Sequence, residues 1–407
     1  MKRFFSAALL LACAASSHAA VPPGAVDDSD MSDPVLSAQD AQRLSLEGRT
    51  TPEGLIFTPH AVSGGWEPAD RIIKGKFLLA DRAGVPHPAR LACAELLGEG
   101  ALGVCETLAE DGSFELKFPP TPKGGYRVRL DLDNKYWRFL DGSGNAYAWD
   151  TAPFEAPLEG GLNLGTLTPE PGSTAGKLGV LHLTYLEALD FLKIKGETEW
   201  WKRTLTVKWP GSADFFSPWG WSLELTNALA WDVVLHELGH AVMHGAFQAA
   251  GAGGQHKIDE CYSAALAWSE GWGTYFAAAV RLSPADPDAR FEFLVPRRAP
   301  IRLENVPEDV CRGQNNEWRV AAGLWDLHDE HADGADQISL GFTPLWRGFV
   351  SGKTSSLSTA WDLAAKNLNP VERRAGQAAL AHNTLLPAPA ALSVPVPEAP
   401  AEWSSPR

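Results

Sequence analysis

Between about residues 69 and 168 apolar and polar positions alternate. Phe114, Leu116 and Phe118 are separated by Glu115 and Lys117, and Tyr126, Val128, Leu130 and Leu132 by Arg127, Arg129 and Asp131. A period of two puts one set of side chains on each face of a strand, which predicts half-buried antiparallel strands. Turn-forming runs at Asp81-Arg82-Ala83-Gly84, Glu110-Asp111-Gly112 and Asp141-Gly142-Ser143-Gly144-Asn145 interrupt them at intervals suited to a β-sandwich. After Pro171-Gly172-Ser173 the period lengthens, with Leu178, Leu181, Tyr185, Leu189 and Leu192 at helical spacing. Thr204 to Trp209 and Ser222 to Thr226 alternate once more as strands, and Ala228 to Met243 is a mostly apolar run that predicts a buried helix. The expected fold class is α+β, with an antiparallel β-sandwich over residues 69–168 followed by a mainly helical domain over 169–385.

The ends of the chain have a different character. Met1-Lys2-Arg3, the apolar run from Phe4 to Ala12 and the small residues around Ser17-His18-Ala19 predict a secretory signal peptide over residues 1–19. Leu10-Leu11-Ala12-Cys13 partly resembles a lipoprotein cleavage site, but Leu11 is atypical there and the segment before it is short. Lipid attachment at Cys13 is therefore the lesser expectation. Residues 20–68 and the Pro- and Ala-rich tail at 386–407 lack periodicity and are expected to be flexible. No stretch reaches the roughly 20 apolar residues of a transmembrane anchor, so a secreted or periplasmic protein is expected. An oxidising compartment suits disulfides, and four cysteines remain beyond the signal. They allow three pairings, of which proximity favours Cys93 with Cys105 and Cys261 with Cys311. A formal charge of −15 argues against a nucleic-acid partner.

The buried helix carries polar chemistry. His236-Glu237-Leu238-Gly239-His240 places two imidazoles roughly 40° apart and one turn along a helix, within reach of one metal ion. Zinc suits such a pair, and Glu237 beside it would take a proton from a water whose pKa the metal lowers, then pass it to a leaving amine. Protein or peptide substrates follow from that chemistry. A catalytic zinc needs a third protein ligand. His244 lies about 12 Å along the axis from His236, too far to share an ion with it. Glu260 and Glu270 both remain candidates.

His-Glu-x-x-His, followed some thirty residues later by Glu270-Gly271-Trp272, resembles the gluzincin zinc metallopeptidases, in particular the fungalysin-like branch. Asp232 to Val242 resembles the thermolysin-type active-site helix, and Glu317 to Leu327 a later helix of fungalysin-like enzymes. The resemblance covers about 100 residues. It implies a zincin-type catalytic domain in which His236, His240 and Glu270 hold Zn²⁺, Glu260 is peripheral, and Ser222 to Thr226 forms a cleft rim that pairs with extended substrate. Where many gluzincins have an Asp that orients a ligating His, this chain has Thr274, whose hydroxyl can hold a ring less strongly. No motif selects the oxyanion donor among Tyr262, Tyr275, Arg319 and His328.

Two further features stand outside that resemblance. The loop Asp329-Glu330-His331-Ala332-Asp333-Gly334-Ala335-Asp336 partly resembles a calcium loop, although His331 and the missing terminal acid depart from it; Ca²⁺ is thus a second candidate cofactor. Trp209, Trp219, Trp221, Trp231, Trp268, Trp272, Trp318 and Trp325 crowd the second half and are expected mainly in its core. The alternative reading is a non-catalytic envelope or extracellular protein that keeps a zincin fold and binds protein or glycan through its sandwich and aromatic residues. The intact Glu237 speaks against it, because a structural metal site needs no general base.

Overall fold

A computed structural model describes residues 55–56, 60–62, 71–119, 123–157, 160–247, 249, 253–332, 334 and 336–389. The predicted signal peptide, Cys13, most of the 20–68 segment and nearly all of the C-terminal tail lie outside them. Among the described residues no helix is long and apolar enough to cross a membrane. The chain divides into two compact units. The first comprises Met1–Leu183, Arg203–Leu229 and Ala252–His256, and the second Thr184–Lys202, Ala230–Gly251 and Lys257–Arg407.

Three sheets occupy the first unit. One has the order Leu55–Ile56, Gly161–Pro169, Ile72–Ala80, Pro86–Pro88, with His60–Val62 added on Gly161–Pro169 and Ser113–Lys117 on Ile72–Ala80. The second has the order Trp149–Asp150, Lys123–Asp131, Cys93–Glu99, Cys105–Thr107, with Phe154–Glu155 also paired to Lys123–Asp131. The alternation seen in sequence is the alternation of burial: Phe114, Leu116, Tyr126, Val128 and Leu130 are buried, while Glu115, Lys117 and Arg127 face solvent. Cys93 and Cys105 join neighbouring strands of the second sheet, their Cα atoms 5.4 Å apart.

The third sheet departs from two expectations. Its order is Phe215–Ser217, Ser222–Glu224, Leu205–Lys208, Trp137–Leu140, so strands expected in the helical domain pair with a strand from the 69–168 region. This pairing carries Arg203–Leu229 into the first unit, across the boundary that the change of periodicity places near residue 169. Ser222–Glu224 also has neighbours on both sides, parallel Leu205–Lys208 and antiparallel Phe215–Ser217. Its backbone groups are used within the sheet, and it is not an edge on which extended substrate can add. Nor are the sheets wholly antiparallel, since Gly161–Pro169 runs parallel to Ile72–Ala80, and Leu205–Lys208 parallel to Trp137–Leu140.

A buried histidine ties this unit together. His182 Nε2 donates to the Arg90 carbonyl at 2.8 Å, while Nδ1 accepts the Trp137 indole N–H at 3.3 Å. Both bonds use the neutral ring, and burial holds its pKa down at about 4.

The second unit is helical. Helix α1 (Thr174–Lys195) enters it at Thr184; α2 (Trp231–Ala246), α3 (Ala264–Arg281), α4 (Glu317–Asp326), α5 (Phe342–Phe349), α6 (Leu357–Ala364) and α7 (Pro370–His382) follow. Trp231 through Met243 is buried without interruption, as an all-round apolar helix must be. Local chemistry sets the helix starts. Ser263 caps α3 through Leu266 N–H, and Asn316 caps α4 through Arg319 N–H while its own amide donates to the Ile258 and Glu260 carbonyls. In the first turn of α2 the Asp232 carboxylate accepts the N–H groups of Glu292, Phe293 and Leu294, at 2.7 to 3.1 Å. Cys261 and Cys311 are bonded, with Cα atoms 5.5 Å apart. Seven of the eight tryptophans singled out above are buried, and Trp219 is 83 % exposed.

Glycines decide how closely the helices cross. A Cβ on Gly239 of α2 would lie 3.0 Å from the Cα of Gly273 on α3, and one on Gly271 would lie 2.6 Å from Val320 Cβ on α4. With no side chain at these positions the backbones approach each other, and Trp272 Nε1 donates to the Gly239 carbonyl at 2.9 Å across the α2–α3 contact. That closeness positions the site.

Candidate metal centre

Helix α2 presents His236 and His240 one turn apart on the side that meets α3, and α3 presents Glu270. The two imidazole Nε2 atoms are 3.0 Å apart, and Glu270 Oε2 lies 3.2 Å from each of them. All three side chains are at most 2 % exposed. Zinc–nitrogen bonds of about 2.0–2.1 Å in a tetrahedron separate two ligand atoms by about 3.3 Å. The observed triangle therefore matches one face of such a tetrahedron in both size and shape. Two imidazoles and one carboxylate also form a donor set suited to zinc. Three electron-rich atoms held this close in a buried place need a proton or a cation among them.

The far sides of the rings are also held. His236 Nδ1 is 3.1 Å from Thr274 Oγ1, and His240 Nδ1 is 3.4 Å from Ser269 Oγ. With Nε2 kept for a metal, each Nδ1 carries the proton and donates it to a hydroxyl, which fixes the tautomer and the ring plane. Gly273 backs the same imidazole. A Cβ there would lie 2.9–3.1 Å from His236 Cε1, Nε2 and Cδ2, so the ring packs flat on bare backbone.

Glu237 is fully buried on α2 next to His236. Its charge reaches Tyr185 on α1, whose pKa is raised well above the ordinary phenol value, first by burial and then by Glu237. Sequence reasoning missed Tyr185 and Ser269. Tyr185 has the spacing of a core helix position, and no sequence signal sets it apart from one. Ser269 directly precedes the ligand candidate, a cue that becomes readable only once the helix crossing is known.

The two competing acids separate cleanly. Glu260 is exposed and lies 2.9 Å from Lys257 Nζ, which lowers its pKa. Glu270 lies in the triangle. His244 is on the exposed side of α2. The oxyanion candidates are engaged elsewhere or set among packed rings. Arg319 donates to the carbonyls of Cys311, Pro307 and Val310, the Tyr262 hydroxyl accepts Lys257 N–H, and Tyr275 stacks on Phe342 with His328 against its edge.

No curated protein matches the chain. Residues 196–377, less than half of the 407, match the family model of the mycolysin C-terminal domain. That stretch includes His236, Glu237, His240 and Glu270, and the match gives this part of the chain a peptidase context.

Proposed function

We propose that the chain is a secreted zinc metalloendopeptidase of gluzincin type, with a β-sandwich followed by a mainly helical zincin-type domain. The observation that carries this reading is the near-equilateral triangle of His236 Nε2, His240 Nε2 and Glu270 Oε2, with Glu237 buried beside it on the same helix. The peptidase context of residues 196–377 supports it. The bound zinc would supply Lewis acidity, polarising a peptide carbonyl and acidifying water. Thr274 and Ser269 hold the imidazoles in the ligating tautomer. The carboxylate of Glu237 accepts a proton from the attacking water and returns it to the leaving nitrogen, so that peptide and water become acid and amine with no net change in the enzyme. Burial of Glu237 keeps bulk water from competing for that proton.

The test is cleavage of an unfolded protein by the purified mature chain and by Glu237→Gln, with bound zinc quantified in both. Zinc in both and cutting only by the parent is expected. Glu270→Ala should lose zinc, whereas Glu260→Ala should keep both zinc and activity. Zinc in both preparations without cutting by either overturns the catalytic reading in favour of a binding protein with a zincin fold, and zinc loss on Glu260→Ala but not on Glu270→Ala overturns the ligand assignment.

A further inference from the structure

In the first unit, the strand Ser113–Lys117 lies at an edge of its sheet: among the described residues it pairs with Ile72–Ala80 alone. Bonds at its two ends show which backbone groups that pairing uses. Phe77 N–H donates to the Gly112 carbonyl at 2.8 Å, and Phe118 N–H to the Arg71 carbonyl at 3.0 Å. Bonded residues alternate along an antiparallel ladder, so the backbone groups of Phe114 and Leu116 face Ile72–Ala80, while those of Ser113, Glu115 and Lys117 face away from it. The preceding turn takes up Ser113, whose N–H donates to Asp111 Oδ1 at 3.0 Å and whose carbonyl accepts Ala109 N–H at 2.9 Å. Among the described residues nothing pairs with the outward backbone groups of Glu115 and Lys117. Both side chains are exposed, that of Glu115 by 60 %.

Charge selects what can add to this edge. A lone lysine on an edge strand guards against strand addition, but here a glutamate two positions earlier supplies the opposite sign. Antiparallel pairing of two copies about Leu116 sets Glu115 of each opposite Lys117 of the other, and these are the residues with outward N–H and C=O groups to exchange. The neighbouring registers set Glu115 against Glu115 or Lys117 against Lys117, where like charges oppose pairing. The ladder ends beyond these residues, because Pro119 has no N–H and Ser113 is held by its own turn. Apolar surface accompanies the edge. Leu96, Leu102, Val104 and Leu116 line an open cleft that Glu115 and Lys117 share, and Leu102 is 87 % exposed. Covering that cleft adds apolar burial to the backbone bonds.

We propose that Ser113–Lys117 is a self-association edge, at which two copies of this chain add strand to strand about a two-fold axis at Leu116. Each copy presents the same patch, so the contact is isologous and stops at two. The surface belongs to the β-sheet unit, and its function is independent of the metal chemistry proposed above.

The experiment is sedimentation velocity of the full mature, zinc-loaded chain from about 1 to about 500 μM, the span over which a small interface associates. A reversible monomer–dimer equilibrium is expected. Glu115→Lys and Lys117→Glu each turn both cross-strand pairs into like charges and should weaken the dimer by about 10- to 100-fold. Glu115 also pairs with Lys74 at 2.6 Å on its own sheet, so Lys117→Glu, which keeps that pair, is the cleaner variant. An equimolar mixture of the two single variants should associate again, since every pair between them is then of opposite charge, and the double swap Glu115→Lys/Lys117→Glu should restore the dimer. Thermal melting of each variant checks that it is folded. A parent that stays monomeric throughout, assembly beyond two copies, an unchanged dimer in both single variants, or folded single variants that do not associate when mixed would each overturn the proposal.

Discussion

Gly273→Ala tests the geometry of the metal centre with a single methyl group. The new Cβ would lie 2.9–3.1 Å from three atoms of the His236 ring, whereas carbon atoms rest in contact at about 3.5–4.0 Å. The ring must therefore retreat by about 0.5–1 Å, while metal–ligand bonds tolerate deviations of only about 0.2 Å. Two opposing effects act on the metal-free protein. Forcing a methyl group into a packed site costs about 1–3 kcal/mol, and replacing Gly by Ala inside a helix returns about 1 kcal/mol. Its net loss of stability should be roughly 0–2 kcal/mol. Zinc binding has no such compensation, because it requires the ring in its original place, and a strain of about 1.4–2.8 kcal/mol corresponds to a 10- to 100-fold weaker Kd. The assay is competition for zinc between the protein and a chromogenic chelator, paired with thermal melting of the metal-free forms. Unchanged zinc affinity in Gly273→Ala would refute the reasoning, because His236 would then either not ligate or not rest on Gly273. A variant that fails to fold even without metal would refute the estimate of stability.

Two other outcomes follow from burial and covalent linkage. Native His182 stays neutral down to about pH 4, whereas the unfolded chain protonates this ring near 6.5, so between these values the unfolded state holds the extra proton and stability falls as pH falls. The loss should reach about 3 kcal/mol at pH 4, and urea unfolding of His182→Gln should show a flatter acid limb in that window; equal acid sensitivity of parent and variant would contradict the assignment. The Cys261–Cys311 bond spans 50 positions, for which chain entropy predicts about 4 kcal/mol of stabilisation. The double Ser variant should unfold at clearly lower denaturant concentration, and an unchanged midpoint would count against that contribution.

Much of the site could be read from the order of residues, because a helix converts spacing into direction. Two histidines four apart must share a face, and an apolar run too long to be exposed must bury them with the intervening Glu237. Alternation of period two marked the strands over 114–118 and 126–132 for the same reason. Both cysteine pairs favoured by proximity are bonded. Strand partners were not legible in this way. Leu205–Lys208 and Ser222–Glu224 look like local strands of a helical domain, yet they share a sheet with Trp137–Leu140, which pairs directly with Leu205–Lys208, since hydrogen bonding between strands depends on where the chain returns in space.

The sequence alone determined the chemistry available to this protein: a helix bearing two imidazoles and a carboxylate, an alternating β region before it, and acids recurring at 329–336. These are consequences of local backbone periodicity and side-chain type. Family resemblance pointed to Glu270 rather than Glu260 as a ligand, but only the tertiary structure decided which of these two downstream carboxylates faces the rings. It turned on the bare backbones of Gly239 and Gly273, which let α2 and α3 approach until Glu270 came within 3.2 Å of both rings while Glu260 stayed at the surface with Lys257.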